Sequence, residues 1–234
     1  MKKTIGIIGG MGPEATVDLF NKIIRLTPVK KDQDHIRILI DNNTAIPDRT
    51  KAILKGGTDP LPELVKSAKL LKKAGADFII MPCNTAHYFY DGLKKSSGLP
   101  VIHMIEEVAK HLKGKYKKAG LLATDGTVQS GIYTKVLNRY GIELVIPGKN
   151  DQKKVMALIY GKTGIKSGSY KEARIKQEFL KIIKNLAKQG AETVIMGCTE
   201  IPVILRKRKD RVPLIDSTQI LAESAVKKAL NNNI

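Results

Sequence analysis

The sequence predicts an α/β fold of two pseudo-symmetric domains, each a parallel-type sheet flanked by helices. Short apolar, β-branched runs that end at glycine, proline or asparagine alternate with longer segments of helical periodicity. This alternation is typical of parallel strands joined by crossover helices. The second observation is an internal repeat, in which KAGADFIIMPCN at residues 73–84 resembles KQGAETVIMGCT at residues 188–199. The duplication predicts two halves that face each other across a cleft, with the active site in that cleft.

The first half is predicted from signals that follow one another along the chain. Strands are indicated where β-branched runs stop at a turn-forming residue, at residues 4–10, 35–41, 78–81 and 100–102. Helices are indicated where a proline opens a segment with helical apolar spacing, at residues 13–26 and 59–74. The polar loop 42–50 follows the carboxyl end of the second strand, where ligands bind in open α/β sheets.

The second half repeats this plan at nearly constant spacing. KAGLLATDG at residues 118–126 corresponds to TIGIIGGMG at residues 4–12, and Pro-Leu-Ile at 213–215 corresponds to Pro-Val-Ile at 100–102. Between the matched strands, a strand is predicted at residues 142–147 and a long helix at 171–189, whereas residues 151–170 are predicted to form a mobile loop rich in Gly, Ser and Lys. The predicted domains are residues 1–102 with 216–234, and residues 103–215.

The composition narrows the class of protein. The 234 residues include 41 basic and 22 acidic side chains, for a formal charge of +19. Aromatic residues are not interleaved with the basic ones, even at the dense cluster 206–211, so a solvated surface is predicted and no nucleic-acid partner. A positive field would steer an anionic small molecule towards the protein. No apolar run approaches the ~18 residues of a membrane span, and the first apolar run lacks a cleavage site, so no membrane partner and a cytoplasmic location are expected.

The chain's two cysteines, Cys83 and Cys198, occupy the same position in the two copies of the repeat, at the end of a buried strand. No disulfide is expected between them in a cytosolic protein. One thiolate can remove a proton from a carbon while the other thiol returns a proton to the opposite face, which is racemisation or epimerisation by two bases. A helix opening after each cysteine is expected to lower the thiol pKa. Hydrogen bonds from Asn84, Thr85 and Thr199 are expected to stabilise the carboxylate of the carbanion.

Other interpretations of the same residues remain open. A cysteine at a strand end is commonly a small buried hydrophobe. The glycines of residues 6–12 are compatible with nucleotide binding, although their spacing is not the dinucleotide pattern. His87, one turn beyond Cys83, could share a metal with it, but two ligands are weak evidence for zinc, and no metal site is predicted. Side chains that follow strands and could tune the thiols are His103, Glu200 and Asp216.

Three motifs carry a resemblance to a known family: MPCNTAH at residues 81–87, GCTE at 197–200 and GIIGGMGPEAT at 6–16. Together they resemble the aspartate/glutamate racemase family, and within it the cofactor-independent, PLP-independent aspartate racemases. The resemblance covers essentially the whole chain. It implies the two-domain α/β fold, a homodimer, and interconversion of L- and D-aspartate by two cysteines without a cofactor. It also implies that the helix after the last strand of each half crosses to the other half.

The resemblance assigns roles to individual residues. Cys83 and Cys198 match the catalytic pair. The residues that match the surroundings of the substrate carboxylate and amino group are Met11, Asn84, Thr85 and Thr199. Arg49, in PDRT, and Lys166, in GIKSG, match the two basic residues that aspartate racemases are thought to use on the substrate. The alternatives are a racemase of glutamate or another amino acid, a decarboxylase or isomerase of the same superfamily, or an amino-acid-binding module without catalysis.

Overall fold

The computed structural model describes residues 2–205 and 212–230. Within these residues the fold is α/β, with two parallel sheets flanked by helices, which confirms the predicted fold class. The chain divides into two compact units: residues 1–107 with 218–234, and residues 108–217. The basic cluster predicted at 206–211 lies outside the described residues. In the part of the chain that is described, no helix is both long and apolar enough to cross a bilayer.

The first unit is built around a sheet whose strands run in the order β2-β1-β3, all parallel. Val101 adds a single parallel bridge to Ile79 of the third strand. The elements, in chain order, are β1 (Ile5–Ile8), α1 (Pro13–Leu26), β2 (Ile38–Asp41), α2 (Arg49–Lys55), α3 (Leu61–Lys73), β3 (Phe78–Ile80), α4 (Tyr90–Ser97) and α5 (Met104–Leu112), the last of which leads into the second unit.

The second unit has a parallel sheet in the order β5-β4-β6-β7, so its first three strands repeat the order of the first unit. Its elements are β4 (Lys118–Leu122), α6 (Asp125–Gln129), α7 (Ile132–Asn138), β5 (Glu143–Val145), α8 (Lys149–Tyr160), α9 (Glu172–Lys188), β6 (Thr193–Met196), α10 (Ile201–Leu205) and β7 (Leu214–Asp216). The chain then continues into α11 (Ser217–Ala229), whose buried face, including Leu221 and Ala225, packs in the core of the first unit.

The repeat extends to single hydrogen bonds. In the first unit the Ile79 N–H donates to the carbonyl of Pro100 at 2.8 Å, and in the second the Val194 N–H donates to the carbonyl of Pro213 at 3.0 Å. The turns that precede the two cysteine strands also correspond, because Gly75 and Gly190 have φ values of 96° and 93°. Only glycine adopts such a conformation without strain, which explains why both copies of the repeat carry it.

The strands that carry the cysteines are buried on both faces, since every residue of β3 and β6 is buried. Helices cover them, as the unbroken apolar runs of the sequence predict. In the second unit α9 supplies this cover with apolar side chains three or four residues apart, Phe179, Ile182, Ile183 and Leu186, all buried. This packing fixes where each strand ends, and so where each cysteine lies.

The prediction of a mobile loop at residues 151–170 is wrong in its first half, because residues 149–160 form α8. Val155 and Ile159 lie one turn apart on this helix and are fully buried in the core of the second unit. The prediction rested on the Gly-, Ser- and Lys-rich residues 161–170, which follow this helix. On the helix itself Lys153 and Lys154 are exposed opposite the buried Val155 and Ile159, as in an amphipathic helix. Residues 161–170 contain a single 3-10 turn, at Ile165–Ser167.

Candidate active site

Cys83 directly follows the carboxyl end of β3 and is buried, with 6% of its surface exposed. It packs in the same apolar cluster as Met11, Ile46 and Ala86. The two cap-type residues after it, Asn84 and Thr85, are also buried. The chain there continues as a 3-10 helix, Thr85–Phe89, before α4 begins.

His87 holds the main chain of Cys83 in place. Its Nδ1 lies 2.8 Å from the Cys83 carbonyl oxygen, and its Nε2 lies 3.1 Å from the N–H of Met104. Since the Met104 N–H can only donate, Nε2 is the acceptor, and the ring proton is on Nδ1, which donates to Cys83. Burial, with the nearby charge of His103, lowers the pKa of His87 to about 3. The imidazole is therefore neutral, and it connects the cysteine to the first turn of α5.

The rings of His103 and Tyr90 lie beside this histidine. The ring centroids of His87 and His103 lie 5.1 Å apart, and those of His103 and Tyr90 lie 4.4 Å apart with an edge-on orientation. The Tyr90 hydroxyl donates to the carbonyl of Val101 at 3.1 Å. His87 was considered in the sequence as a metal ligand, but both of its ring nitrogens are occupied by main-chain groups. Among the described residues no group of three or more His, Cys, Asp or Glu side chains is arranged to hold a metal ion.

Met11 and Arg49 lie together in the first unit. Arg49 is at the first position of α2, 9% exposed, and its guanidinium turns back onto main-chain carbonyls. Nη1 donates to Ile46 at 3.1 Å and to Pro47 at 2.9 Å, and Nη2 donates to Met11 at 3.4 Å. The arginine thus ties the loop after β1 to the loop after β2, and places a buried cation at the carboxyl end of this sheet.

Cys198 follows β6 in the second unit and is likewise 6% exposed. Its thiol donates to Oε2 of Glu200 at 3.0 Å, and the Thr199 hydroxyl donates to the same oxygen at 3.3 Å. The other carboxylate oxygen, Oε1, forms an ion pair with Lys166, which lies on the short turn after α8. Three of the sequence-predicted site residues, Cys198, Thr199 and Lys166, are therefore brought together, and Glu200 is the group that joins them.

The charges of this cluster are set by burial and by the neighbouring groups. Burial raises the pKa of the Cys198 thiol well above its usual value, and the Glu200 carboxylate raises it further, while Lys166 opposes them. Burial would also raise the pKa of Glu200, but the Lys166 ammonium and the hydrogen bond from Cys198 outweigh it and lower the pKa. For Lys166, burial acts to lower the pKa, and the charge of Glu200 reverses this and raises it. The cluster thus holds a charged pair beside a neutral thiol.

The expected lowering of the thiol pKa by a helix opening is therefore wrong for Cys198. A carboxylate 3.0 Å from the sulfur, in a buried position, has the larger effect. Glu200 was singled out in the sequence only as a group that could tune a thiol, and its position in the GCTE motif is the signal that was available.

The family described as Asp/Glu/Hydantoin racemase matches residues 8–225 of the chain. The broad specificity amino-acid racemase RacX of Bacillus subtilis is 32% identical over 235 aligned residues, which cover 95% of this chain and 96% of that protein.

Two solved structures have the same fold over nearly the whole chain. The Picrophilus torridus aspartate racemase superposes with a TM-score of 0.84 at 34% identity, covering 97% of this chain and 94% of that one. An aspartate racemase homologue from Pyrococcus horikoshii gives 0.78 at 28% identity, covering 98% and 100%. With the family match over residues 8–225, these likenesses lead to one conclusion: the chain belongs to the Asp/Glu/hydantoin racemase family, as an amino-acid racemase.

Proposed function

We propose that the protein is an aspartate racemase that interconverts L- and D-aspartate with two cysteines and no cofactor. The observation that carries the proposal is the paired placement of Cys83 and Cys198. Each follows the carboxyl end of a buried parallel strand in its own unit, and each is 6% exposed. Two units that otherwise share few residues both keep a thiol at this position. A family member that is an aspartate racemase, from Picrophilus torridus, is 34% identical to this chain.

In the proposed reaction a thiolate takes the α-proton from one face of aspartate, and the other thiol gives a proton to the opposite face. The carbanion between these steps is stabilised through the α-carboxylate, by donors at Asn84, Thr85 and Thr199. All three side chains are buried, so their hydrogen bonds act in a region of low dielectric. Met11 would pack beside the substrate. Proton transfer at the α-carbon then needs neither pyridoxal phosphate nor metal, and both are proposed to be dispensable.

Arg49 and Lys166 are proposed to bind the second carboxylate of the substrate. Arg49 is buried and Lys166 is partly buried, and each also serves the protein: Arg49 donates to main-chain carbonyls and Lys166 pairs with Glu200. An ammonium has three N–H donors, so Lys166 can hold Glu200 and a substrate carboxylate at once. The protein is further proposed to act in the cytoplasm, as a homodimer, which light scattering of the purified protein would test.

The deciding experiment incubates purified protein with L-aspartate and a chelator, with no cofactor added, and follows D-aspartate by chiral chromatography. In deuterated water the early product should carry deuterium at the α-carbon, while remaining substrate keeps its proton. Cys83→Ala and Cys198→Ala should each abolish racemisation while circular dichroism shows an intact fold. Turnover near that of the parent by either variant would refute the two-thiol mechanism, and a requirement for pyridoxal phosphate or zinc would refute the absence of a cofactor.

A second candidate is a racemase of several amino acids. It is favoured by the likeness to the broad specificity amino-acid racemase RacX of Bacillus subtilis, at 32% identity over 95% of the chain. The same assay with glutamate and alanine decides between the two. A site with two cations for a second carboxylate should turn over alanine far more slowly than aspartate, and an additional methylene should cost glutamate about 1–3 kcal/mol. Equal rates on all three would favour the broad-specificity enzyme.

A further inference from the structure

The carboxylate of Glu200 divides its two oxygens between two tasks. Oε1 pairs with the ammonium of Lys166, and Oε2 accepts hydrogen bonds from the Cys198 thiol at 3.0 Å and the Thr199 hydroxyl at 3.3 Å. Glu200 is 4% exposed, and the side chain of Lys166 is 20% exposed. Lys166 also lies 5.6 Å from the ring centroid of Tyr160 at the end of α8. Among the described residues, Glu200 and Lys166 act on the charge of this thiol, and Tyr160 acts on Lys166.

The charge balance of this cluster favours one protonation state of the sulfur. With Cys198 as a thiol, the ammonium and the carboxylate cancel. With Cys198 as a thiolate, two anions would lie 3.0 Å apart in a buried place, and among the described residues the cation that acts on both is Lys166. Like charges at this distance strongly disfavour ionisation of the second group. The thiolate would also lose the S–H that now donates to Oε2.

The two cysteines are not equivalent in this respect. Among the described residues, the hydrogen bonds of Cys83 are made by its main chain, whose N–H donates to Met81 at 2.9 Å and whose carbonyl accepts from His87 at 2.8 Å. The side chain of Cys198, by contrast, donates a hydrogen bond to a carboxylate. The duplicated fold therefore places the two sulfurs alike, and the electrostatic surroundings distinguish them.

We propose that Glu200 is a positioning residue that keeps Cys198 in its thiol form in the free enzyme, so that Cys198 is the proton donor when the first substrate molecule reacts. The proposal rests on the two-cysteine racemase proposed above. In that first turnover the α-proton leaves the substrate for the Cys83 thiolate. The S–H proton of Cys198 then goes to the carbanion, whose electron pair forms the new C–H bond, and a thiolate remains beside Glu200. Proton exchange with solvent at both sulfurs restores the starting form.

This asymmetry cannot appear as a difference in kcat/KM between enantiomers. The equilibrium constant of racemisation is one, so the two kcat/KM values must be equal at every pH. The proposal is therefore tested on the thiol itself, without substrate. The chain contains two cysteines. In a Cys83→Ser background Cys198 is the remaining thiol, and its titration is read from the ultraviolet absorbance of the thiolate and from the rate of alkylation by iodoacetamide. The same protein with Cys198→Ser added supplies the tyrosine background.

In this background the Cys198 midpoint should lie above the ordinary thiol value of about 8.5. Adding Glu200→Gln, which keeps the shape and removes the charge, should lower the midpoint by at least about one unit, a change of about tenfold in the thiolate fraction at a fixed lower pH. Glu200→Asp keeps the charge and should leave the midpoint high. Glu143→Gln is the matched control, because Glu143 pairs with Lys118 and its side chain is 66% exposed. Its midpoint should not move.

Two results would overturn the proposal. One is a Cys198 midpoint at or below about 8.5 in the Cys83→Ser protein, a measurement that needs no change at Glu200. The other is a Glu200→Gln midpoint that is unchanged or higher, which is what a merely structural role of Glu200 would give. Both are independent of racemisation. If Cys198 titrates as proposed and aspartate is not racemised, the proposed function fails and the role of Glu200 stands.

Discussion

The two cysteine strands have the same backbone and different chemical surroundings. In the first unit a neutral imidazole, that of His87, donates to the carbonyl of Cys83 and accepts from the N–H of Met104. In the second unit an ion pair, that of Lys166 and Glu200, acts on the sulfur of Cys198. The two sheets place Cys83 and Cys198 at equivalent positions, but the neighbouring side chains differ. His87 holds the main chain of Cys83, whereas Glu200, paired with Lys166, acts on the sulfur of Cys198.

The largest expected loss of stability is in the second unit, at the pair of Lys166 with Glu200. Lys166→Met leaves the buried carboxylate of Glu200 without its ion-pair partner, which should lower the free energy of unfolding by about 3–5 kcal/mol. Lys181→Met is the control, since the pair of Lys181 with Glu178 is exposed and should contribute at most about 1 kcal/mol. Urea denaturation measures both. An equal, small decrease in the free energy of unfolding in the two variants would mean that the Lys166–Glu200 pair stabilises the protein no more than a surface pair does.

In the first unit, a change at His87 is expected to lower the stability by less. His87→Asn keeps a donor near the Cys83 carbonyl but leaves the Met104 N–H without its acceptor. One buried unsatisfied N–H should lower the free energy of unfolding by about 1–3 kcal/mol. The same measurement on His35→Asn provides a control, because His35 is only partly buried. A variant at His87 as stable as that control would show that the imidazole does not brace the main chain.

The pH dependence of stability should show the contribution of His87 in the first unit. His87 has a pKa of about 3 in the folded protein against 6.5 in the unfolded chain. Below pH 6.5 the unfolded chain binds the additional proton, so the stability present above this pH is lost as the pH falls towards 3. The contribution should be about 1.4 kcal/mol per pH unit. Denaturation curves across this range should show a shallower decline for His87→Asn, and parallel curves would contradict the assignment.

The smallest expected difference in stability concerns how tightly the first strand of each sheet is packed, at Gly6 and at Gly120. A β-carbon at Gly6 would lie 2.9 Å from Cδ1 of Ile79 and 3.0 Å from the β-carbon of Ala76, whereas at Gly120 the nearest atom, Cγ2 of Val194, is 3.1 Å away. Overpacking of this kind costs about 1–3 kcal/mol. Gly6→Ala should therefore be more destabilising than Gly120→Ala, by about 1 kcal/mol. Thermal unfolding of the two variants tests the order, and the reverse order would show that the first unit adapts more easily.

The sequence was most informative where local signals agreed with burial. The helix at residues 13–26 and the two cysteine strands were predicted correctly because apolar periodicity, a proline and conserved spacing within the repeat all pointed the same way. The helix α8 was missed because the prediction extended the Gly-, Ser- and Lys-rich character of residues 161–170 over residues 151–160, whose apolar face is narrow. Composition describes the exposed side of such a helix, whereas two or three apolar residues on the other side decide whether it forms.

The partners within the candidate site could not be predicted, because they depend on tertiary structure. Lys166 and Glu200 are far apart in the sequence and meet only when the turn after α8 packs near the end of β6. His87 and Met104 meet only when α5 begins beside the 3-10 turn. The motifs identified the cysteines and nearby residues, but the hydrogen bond that distinguishes one thiol from the other required the folded protein.

The return of α11 to the first unit has a consequence for biosynthesis. The second unit is one continuous segment, residues 108–217, while the first is completed only by residues 218–234. Its core includes Leu221, Ala222 and Ala225 of that last helix. On the ribosome, the second unit can therefore form its complete core while the first, although synthesised earlier, still exposes the apolar surface that α11 will cover. The half of the protein that is made first is the half that matures last.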